Sequence, residues 1–520
     1  MAGLFSSLFK RKLTPEQAYE KGMACYDAGD YANAFTYFQT AAQEGHAQAQ
    51  YRLAKLCADG LGTEMNSEEA LRWYGCAARQ GHVESREIIE HAAQHGNSGA
   101  QCDLGEIIEK GIGVKKSKIQ AVEWYRKSAA QGDARGQYNL GRMYKGGKGV
   151  EKDAAQAVVW FRKSAEQGYA PAQGKLGYMY ATGNGVEQDD VCAVNWYRKA
   201  AEQGNAVAQH NLANSYRKGR GLEIDLKQAA KWYHKAAEQG VASSQFELGQ
   251  MYSNGTGVSE DTWKAAKWYE KAAKQGHAEA QYILGNLYES GSGVNKDYKS
   301  AVEWYRRAAE QGNFRAQYCL GCLYEAGLGV PKDLVQACEL YCDAADKGHR
   351  DAQYRIGNMY VLGDVLESNY KNAAYWYMKA ANQGHVQAQH YLGLMYLDGE
   401  GVPRDLEQAA YWFRKAAAQG YYEAKDALMY VKVQSNIDAS QKKYGRYGSS
   451  GYSRNGSSGS SSDSGTSETS GWWPETKKVT LVDVYDREGY TVARNLSMEE
   501  AHSLGAVSDY DMLKHVWDDD

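Results

Sequence analysis

Four cysteines fall between positions 319 and 342, as Cys319-x-x-Cys322 and Cys338-x-x-x-Cys342. Thiols at these spacings are compatible with zinc, because four thiolates on two helices can converge on one tetrahedral ion. The repeat register described below argues against convergence. Cys338 takes the place that Val302 and Ala374 hold in neighbouring units, an inward one, whereas Cys342 takes the outward place of Arg306 and Arg414. Diverging ligands cannot share an ion, so ordinary thiols are expected, with a redox pair as the alternative. His91 and His95 lie four apart with Glu87 on the same helix face. Side chains at i and i+4 project together and can hold zinc, but no third ligand or oriented base is identifiable, and a solvated face is expected. Gly-x-Gly recurs in almost every unit, as at Gly183–Gly185. A dinucleotide site needs that dipeptide between a strand and a helix, and here it joins two helical patterns. The sequence holds no P-loop and no nucleophile elbow. No catalytic, metal-binding or cofactor-binding residue is assigned, and a non-enzymatic protein is expected.

What positions these residues is a repeat. Gly closes a Gln-Gly dipeptide at Gly81, Gly132, Gly168, Gly204, Gly240, Gly276, Gly312, Gly384 and Gly420, and Gly45 and Gly348 keep the same register. The spacing is 36 residues throughout, apart from one break between Gly81 and Gly132. Periods of this length mark stacked supersecondary units. Each unit reads as helix, Gly turn, helix. In 133–168 the apolar residues Leu140, Met143 and Tyr144 follow the helical i, i+3, i+4 rule, and Gly147 suits a left-handed C-cap. Asp153 with Gln156 then forms a capping-box signature for the second helix, repeated at Asp225–Gln228, Asp333–Gln336 and Asp405–Gln408. The second helix carries Ala157, Trp160, Phe161 and Ala165. Small residues permit close helix approach, and the aromatic after each Trp place (Tyr197, Tyr233, Tyr305 and equivalents) is expected in the core.

The residues Ala-x-Gln-x-x-Leu-Gly-x-Met-Tyr, Gly-x-Gly-Val and Trp196-Tyr-Arg-Lys-Ala-Ala-Glu-Gln-Gly204 resemble the Sel-one-like repeat family, a 36-residue relative of the tetratricopeptide repeat. The resemblance implies an all-α, right-handed α/α solenoid that serves as a protein-binding scaffold or adaptor. No single repeat buries its own apolar face, so such a stack must be continuous.

The chain then divides into an apolar and basic tail (1–13), a tetratricopeptide-like N-terminal cap (14–45), a first full repeat (46–81), a single-helix interruption (82–96) and nine full repeats (97–420). A capping helix (421–434), a Gly/Ser-rich linker (435–471) and a small ββα segment with an acidic end (472–520) follow. Strands are expected at Val479–Tyr485 and Tyr490–Ala493, and a helix after the Ser497–Glu500 capping box. The unit 313–348 has Leu340 in place of Trp, and the unit 349–384 has Val365 in place of the second turn Gly, which is expected to loosen that neighbourhood.

Composition bounds the partners. The 520 residues include 60 basic and 64 acidic side chains, for a net charge of −4, so no global basic field recruits nucleic acid. No apolar run reaches the roughly 18 residues of a membrane span. The start, Met1 to Lys12, is apolar first and basic second, the reverse of a secretory signal, and residues 4–9 permit at most a membrane-surface contact. Nine cysteines, an odd count, suit a reducing compartment. A cytoplasmic adaptor is expected, with a secreted or envelope-associated factor lacking a signal peptide as the alternative. Candidate partner-binding residues are those that the repeat pattern leaves free on the first helices. They form a basic stretch (Arg142, Lys145, Lys175, Arg217), an acidic middle (Glu247, Glu289, Glu325) and an apolar end (Val361, Leu362, Tyr391, Leu394, Leu397). The apolar end is expected to anchor a protein partner, with the alternative that the C-terminal helix, through Tyr422, Leu428, Met429 and Tyr430, covers part of it.

Overall fold

The computed structural model describes residues 13–444, 482–485 and 491–496, with side-chain surroundings for 13–439. Among them are twenty-four helices, from α1 (Pro15–Asp27) to α24 (Tyr422–Tyr444), and one antiparallel strand pair. Consecutive helices pack pairwise as a solenoid, in two compact units that divide at Ala272/Ala273.

Within the first unit, α8 (Ala134–Gly146) and α9 (Ala154–Glu166) show how the sequence builds a repeat. Asp133 accepts the Gly136 amide at 2.7 Å to open α8, and Asp153 accepts the Gln156 amide at 2.9 Å to open α9. Gly147 ends α8 at φ +61°, the left-handed region in which a Cβ is strained. Gly149 has two reasons to be glycine. Its φ is +71°, and a Cβ there would lie 2.3 Å from the carbonyl oxygen of Lys118 in the preceding repeat. The recurring Gly-x-Gly is thus a packing device between repeats. Phe161 is fully buried against Gly141, where a Cβ would come within 2.8 Å of its ring. Tyr125, Tyr233, Tyr305 and Tyr341 fill the same slot, also fully buried. The Trp places are more open: Trp160, Trp196 and Trp232 are only half-buried, with a lysine ammonium 4.1–4.6 Å from each ring centre.

The Gln of each Gln-Gly dipeptide has a structural partner. Gln167 donates to Gln137 at 2.8 Å, Gln203 to Gln173 at 2.7 Å and Gln239 to Gln209 at 2.7 Å. Gln173 and Gln209 each donate in turn, at 3.1 Å, to a carbonyl in the last turn of the preceding second helix, Ala165 and Ala201. Each of these carbonyls also accepts the amide of the turn glycine that follows, Gly168 or Gly204, at 3.0 Å, so the buried glutamine ladder fills their second acceptor position. In the second unit the ladder continues through Gln311–Gln281, Gln383–Gln353 and Gln419–Gln389, with Lys347 replacing the donor to Gln317.

The interruption is one helix, α5 (Val83–Gln94), opened by His82 and followed by α6 (Ser98–Lys110). Two short turns in succession bring α4 (Ser67–Ala78) against both α5 and α6. Asp103 of α6, only 3% exposed, pairs there with Arg79 and with Arg135 of α8.

In the second unit, α18 (Phe314–Ala326) to α21 (Tyr370–Asn382) keep full 13-residue helices around Leu340 and Val365. Two boundaries move. Helix α24 runs to Tyr444, so 435–444, expected in the linker, is helical. The strands are β1 (Val482–Tyr485) and β2 (Thr491–Leu496), the second shifted C-terminally from its expected span. The N-terminal tail through residue 12, the linker from 445 to 471 and the expected helix after Ser497 lie outside the described residues.

Candidate functional site

The first helices of successive repeats meet at a recurring junction. A residue in the last turn of one first helix faces a residue 30 positions later, in the middle of the next first helix. In the first unit, Arg217 of α12 (Ala206–Lys218) pairs with Glu247 of α14 (Ala242–Asn254) at 3.1 Å. In the second, Arg355 of α20 (Arg350–Leu362) lies 3.7 Å from Glu325 of α18. Arg142 makes a related contact, 3.2 Å from Glu109 of α6, whose carboxylate also accepts the Tyr125 hydroxyl at 2.7 Å. The basic stretch and the acidic middle of the sequence therefore partly neutralise each other within the stack. Asn139, one turn before Arg142 on α8, is 4% exposed and donates to Glu106 at 3.2 Å.

The apolar end uses the same junction. Val361 packs with Tyr391 in one cluster, and the Tyr391 ring stacks on Tyr377 with centroids 5.8 Å apart. Leu397 is 6% exposed, and with Leu394 it packs against Phe413 of α23 (Leu406–Ala418) and against Ala424, Ala427 and Val431 of α24. This corrects the expectation of an open patch. Ala424, Leu428 and Val431 stand 36 residues after Ala388, Leu392 and Met395, so α24 is a further first helix and covers Leu394 and Leu397 itself. Of the five candidates, Leu362 stays largely open, at 59% exposed.

One junction is chemically unlike the others. Lys145 of α8 and Lys175 of α10 (Ala170–Thr182) occupy the 30-residue positions that Arg217–Glu247 and Glu325–Arg355 fill with opposite charges. The Lys145 ammonium sits 4.6 Å from the ring centre of Tyr178, itself 44% exposed. Burial and then the charge of Lys175 lower the Lys145 pKa. Among the described residues no carboxylate pairs with either lysine. The sequence already contained this signal, as a like-charged pair in a register that elsewhere carries opposite charges.

The cysteines are all unpaired. Cys338 and Cys342 do not diverge as the register suggested. Both pack in one cluster on α19 (Leu334–Asp346), and a hydrogen bond from Cys342 lowers the Cys338 pKa. Cys319 is partly buried against the cluster that holds Tyr305, and burial pushes the thiol of Cys322 up to about 12. The His91 and His95 rings lie tilted with centroids 4.0 Å apart, and His95 bonds the His91 carbonyl. Among the described residues no group of three or more His, Cys, Asp or Glu side chains is placed to hold a metal ion. No described helix is long and apolar enough to cross a membrane.

Comparison with known proteins agrees with this construction. The Sel1 repeat model matches eleven segments, beginning with 17–46 and 47–82 and continuing from 98–133 to 386–421. A protective antigen of uropathogenic Escherichia coli displaying an SLR fold is 33% identical over 85% of this chain and 97% of its own, with a TM-score of 0.60. A Sel1 repeat protein from Oxalobacter formigenes is 35% identical over 59% of this chain and 89% of its own, with a TM-score of 0.46. Among curated proteins no match was found. With eleven matched segments between residues 17 and 421, laid down as stacked helix pairs, the chain belongs to the Sel1-repeat family.

Proposed function

We propose that the protein is a non-enzymatic interaction scaffold that binds an acidic segment of a protein partner on the first-helix face, at Lys145, Lys175 and Tyr178. A Sel1-repeat scaffold fits a protein-interaction role in general. The observation that carries this particular reading is the like-charged junction. Two ammonium groups facing each other at this junction repel, and the charge of Lys175 contributes to lowering the Lys145 pKa. Packing of the repeat does not require it, since the same slot accepts Arg–Glu and Leu–Ala pairs elsewhere. A carboxylate from a partner placed between the two lysines relieves the repulsion, and the exposed Tyr178 ring supplies an apolar contact beside it. Arg142 and Arg217 flank the spot but are already engaged with Glu109 and Glu247, so their contribution is to shape rather than to charge. Nine unpaired thiols are consistent with work in a reducing compartment such as the cytoplasm.

The test is binding of a labelled Asp/Glu-rich peptide to the full-length protein, followed by fluorescence anisotropy at several salt concentrations. The double variant Lys145→Glu/Lys175→Glu loses the interaction while keeping its helical circular dichroism. Equal affinity of wild type and double variant removes this surface as the binding site.

A further inference from the structure

Helix α24 has an apolar side that the array does not use. Its inner side, Ala424, Leu428 and Val431, packs on the preceding repeat. On the other side Met429, Val433 and Ile437 are 65%, 54% and 42% exposed. Steps of four residues place the three on one stripe of the helix. Terminal repeats of a solenoid ordinarily present a polar outer face, because nothing stacks beyond them. This one does not.

Register says what kind of body can cover the stripe. Met429 stands 36 residues after Gly393, and Gly393 is where the Phe413 ring of the following helix presses in, so close that a Cβ would meet it at 2.7 Å. Every earlier first helix except α3 (Ala47–Asp59) and α12, which have alanine, has glycine at that place, against the ring of its successor. A methionine side chain fills the ring's position. A repeat helix, whether from this chain or a second copy, therefore cannot stack on α24 in the standard way.

We propose that the stripe is the docking surface for the chain's own C-terminal segment, residues 472–520, which caps the array. Three observations select this occupant. The strand pair β1–β2 belongs to that segment, and an isolated two-stranded hairpin is marginal in water without a body to pack on. Only 37 residues separate Tyr444 from Val482. A stretch of that many residues can span up to about 120 Å. The helix from Val433 to Tyr444 is only about 17 Å long, so the segment reaches back with slack. Charge agrees as well: 472–520 holds eleven acidic and five basic residues, and the exposed Lys425 and Lys432 flank the stripe.

Two measurements on the full-length protein test this. A photo-reactive benzoylphenylalanine at position 433 forms intramolecular cross-links to peptides within 472–520, mapped by mass spectrometry. Amide exchange of 482–496 is slow in the native chain and accelerates by at least about tenfold in Met429→Lys/Val433→Lys, whose substitutions fall on exposed positions and leave the helical signal unchanged. Cross-links between copies would make the stripe a self-association surface and overturn the proposal. Cross-links confined to 14–444, or hairpin exchange identical in both proteins, would overturn it equally.

Discussion

Lys145→Glu separates a structural role for the Lys145–Lys175 junction from a binding role, because the two predict opposite signs of stability change. The substitution converts a like-charged pair into an opposite pair at the 30-residue spacing where Arg217 and Glu247 meet at 3.1 Å. Lys145 is half-exposed and Lys175 exposed, so the gain is that of a surface pair. Removing the repulsion and adding an attraction are each worth about 0.2–1 kcal/mol, for a total of roughly 1 kcal/mol. The variant is thus expected to be more stable than the natural sequence, which is unusual for a random substitution. Partner binding moves the other way. Losing a charge-assisted contact costs about 1.5–3 kcal/mol, or roughly ten- to a hundredfold in affinity. The assays are urea unfolding followed by circular dichroism, at low salt and at about 1 M salt, where a surface pair is screened, together with anisotropy of the acidic peptide. A variant that is less stable than wild type at low salt refutes the reasoning, since Lys145 would then serve the fold. A more stable variant that binds as before refutes the functional half alone.

Other outcomes follow from the packing. Burial lowers the pKa of His385 and His390 to about 4, so stability is full above the unfolded-state value near 6.5 and falls by up to about 1.4 kcal/mol per pH unit per histidine as pH drops toward 4. His385→Asn, which keeps an acceptor for the Ala388 amide, roughly halves that loss in urea titrations at pH 7.5 and 5.0, and an unaltered pH dependence refutes it. Gln209→Leu strands the Gln239 amide and takes one of two donors from the Ala201 carbonyl, which keeps the Gly204 amide, and is expected to cost about 1–3 kcal/mol, measured as a lower urea midpoint. Tyr233→Ala costs about 3–5 kcal/mol and more than Trp232→Ala, because Tyr233 is fully buried while Trp232 is half-open; equal losses would show that the Trp ring is core after all. Leu394→Ser with Leu397→Ser loosens α24 and lowers the unfolding midpoint of the second unit, and an unchanged midpoint would restore these two residues to the free surface.

Much of this fold is legible in the sequence because each repeat carries its own punctuation. The 36-residue register alone locates every helix pair between Ala47 and Ala418, since Asp, Asn or His caps and turn glycines recur in step with buried Ala and Tyr. It also locates α5, because a 15-residue segment between two glycine turns has room for one helix only. What it did not reveal is chemistry that depends on two repeats at once. The Gln of Gln-Gly serves as a register mark in the sequence, yet its function as donor to a glutamine 30 residues earlier requires the stack. Likewise the sequence leaves Leu394 and Leu397 open to two readings, a free patch or one covered by the C-terminal helix, until that helix is placed over them. The ladder and the covering helix share one cause. Periodicity within a chain specifies what a unit contains, and the spacing between units specifies what it touches.

The junction between first helices shows how that second kind of information carries specificity. Its geometry is fixed by elements that most repeats share: the glutamine ladder, the ring on glycine, and the second turn glycine pressed on the previous repeat. Within that fixed frame the two facing positions are free to hold Arg and Glu, Glu and Arg, Val and Tyr, Leu and Ala, or Lys and Lys. The first four combinations close the junction, two by charge and two by apolar contact. The last leaves it electrostatically open. A scaffold built from near-identical units needs some way to be different at one place without disturbing its neighbours, and a slot that tolerates any pair supplies it. The break at α5 obeys the same logic in reverse: where the frame itself slips, Asp103 brings Arg79 and Arg135 together across three helices, so charge restores a contact that periodicity no longer provides. Burying one carboxylate against two guanidiniums fixes register even where it adds little net stability. Charge in this chain therefore does two jobs, closing the stack where the frame is broken and opening it, at Lys145 and Lys175, where the frame is intact.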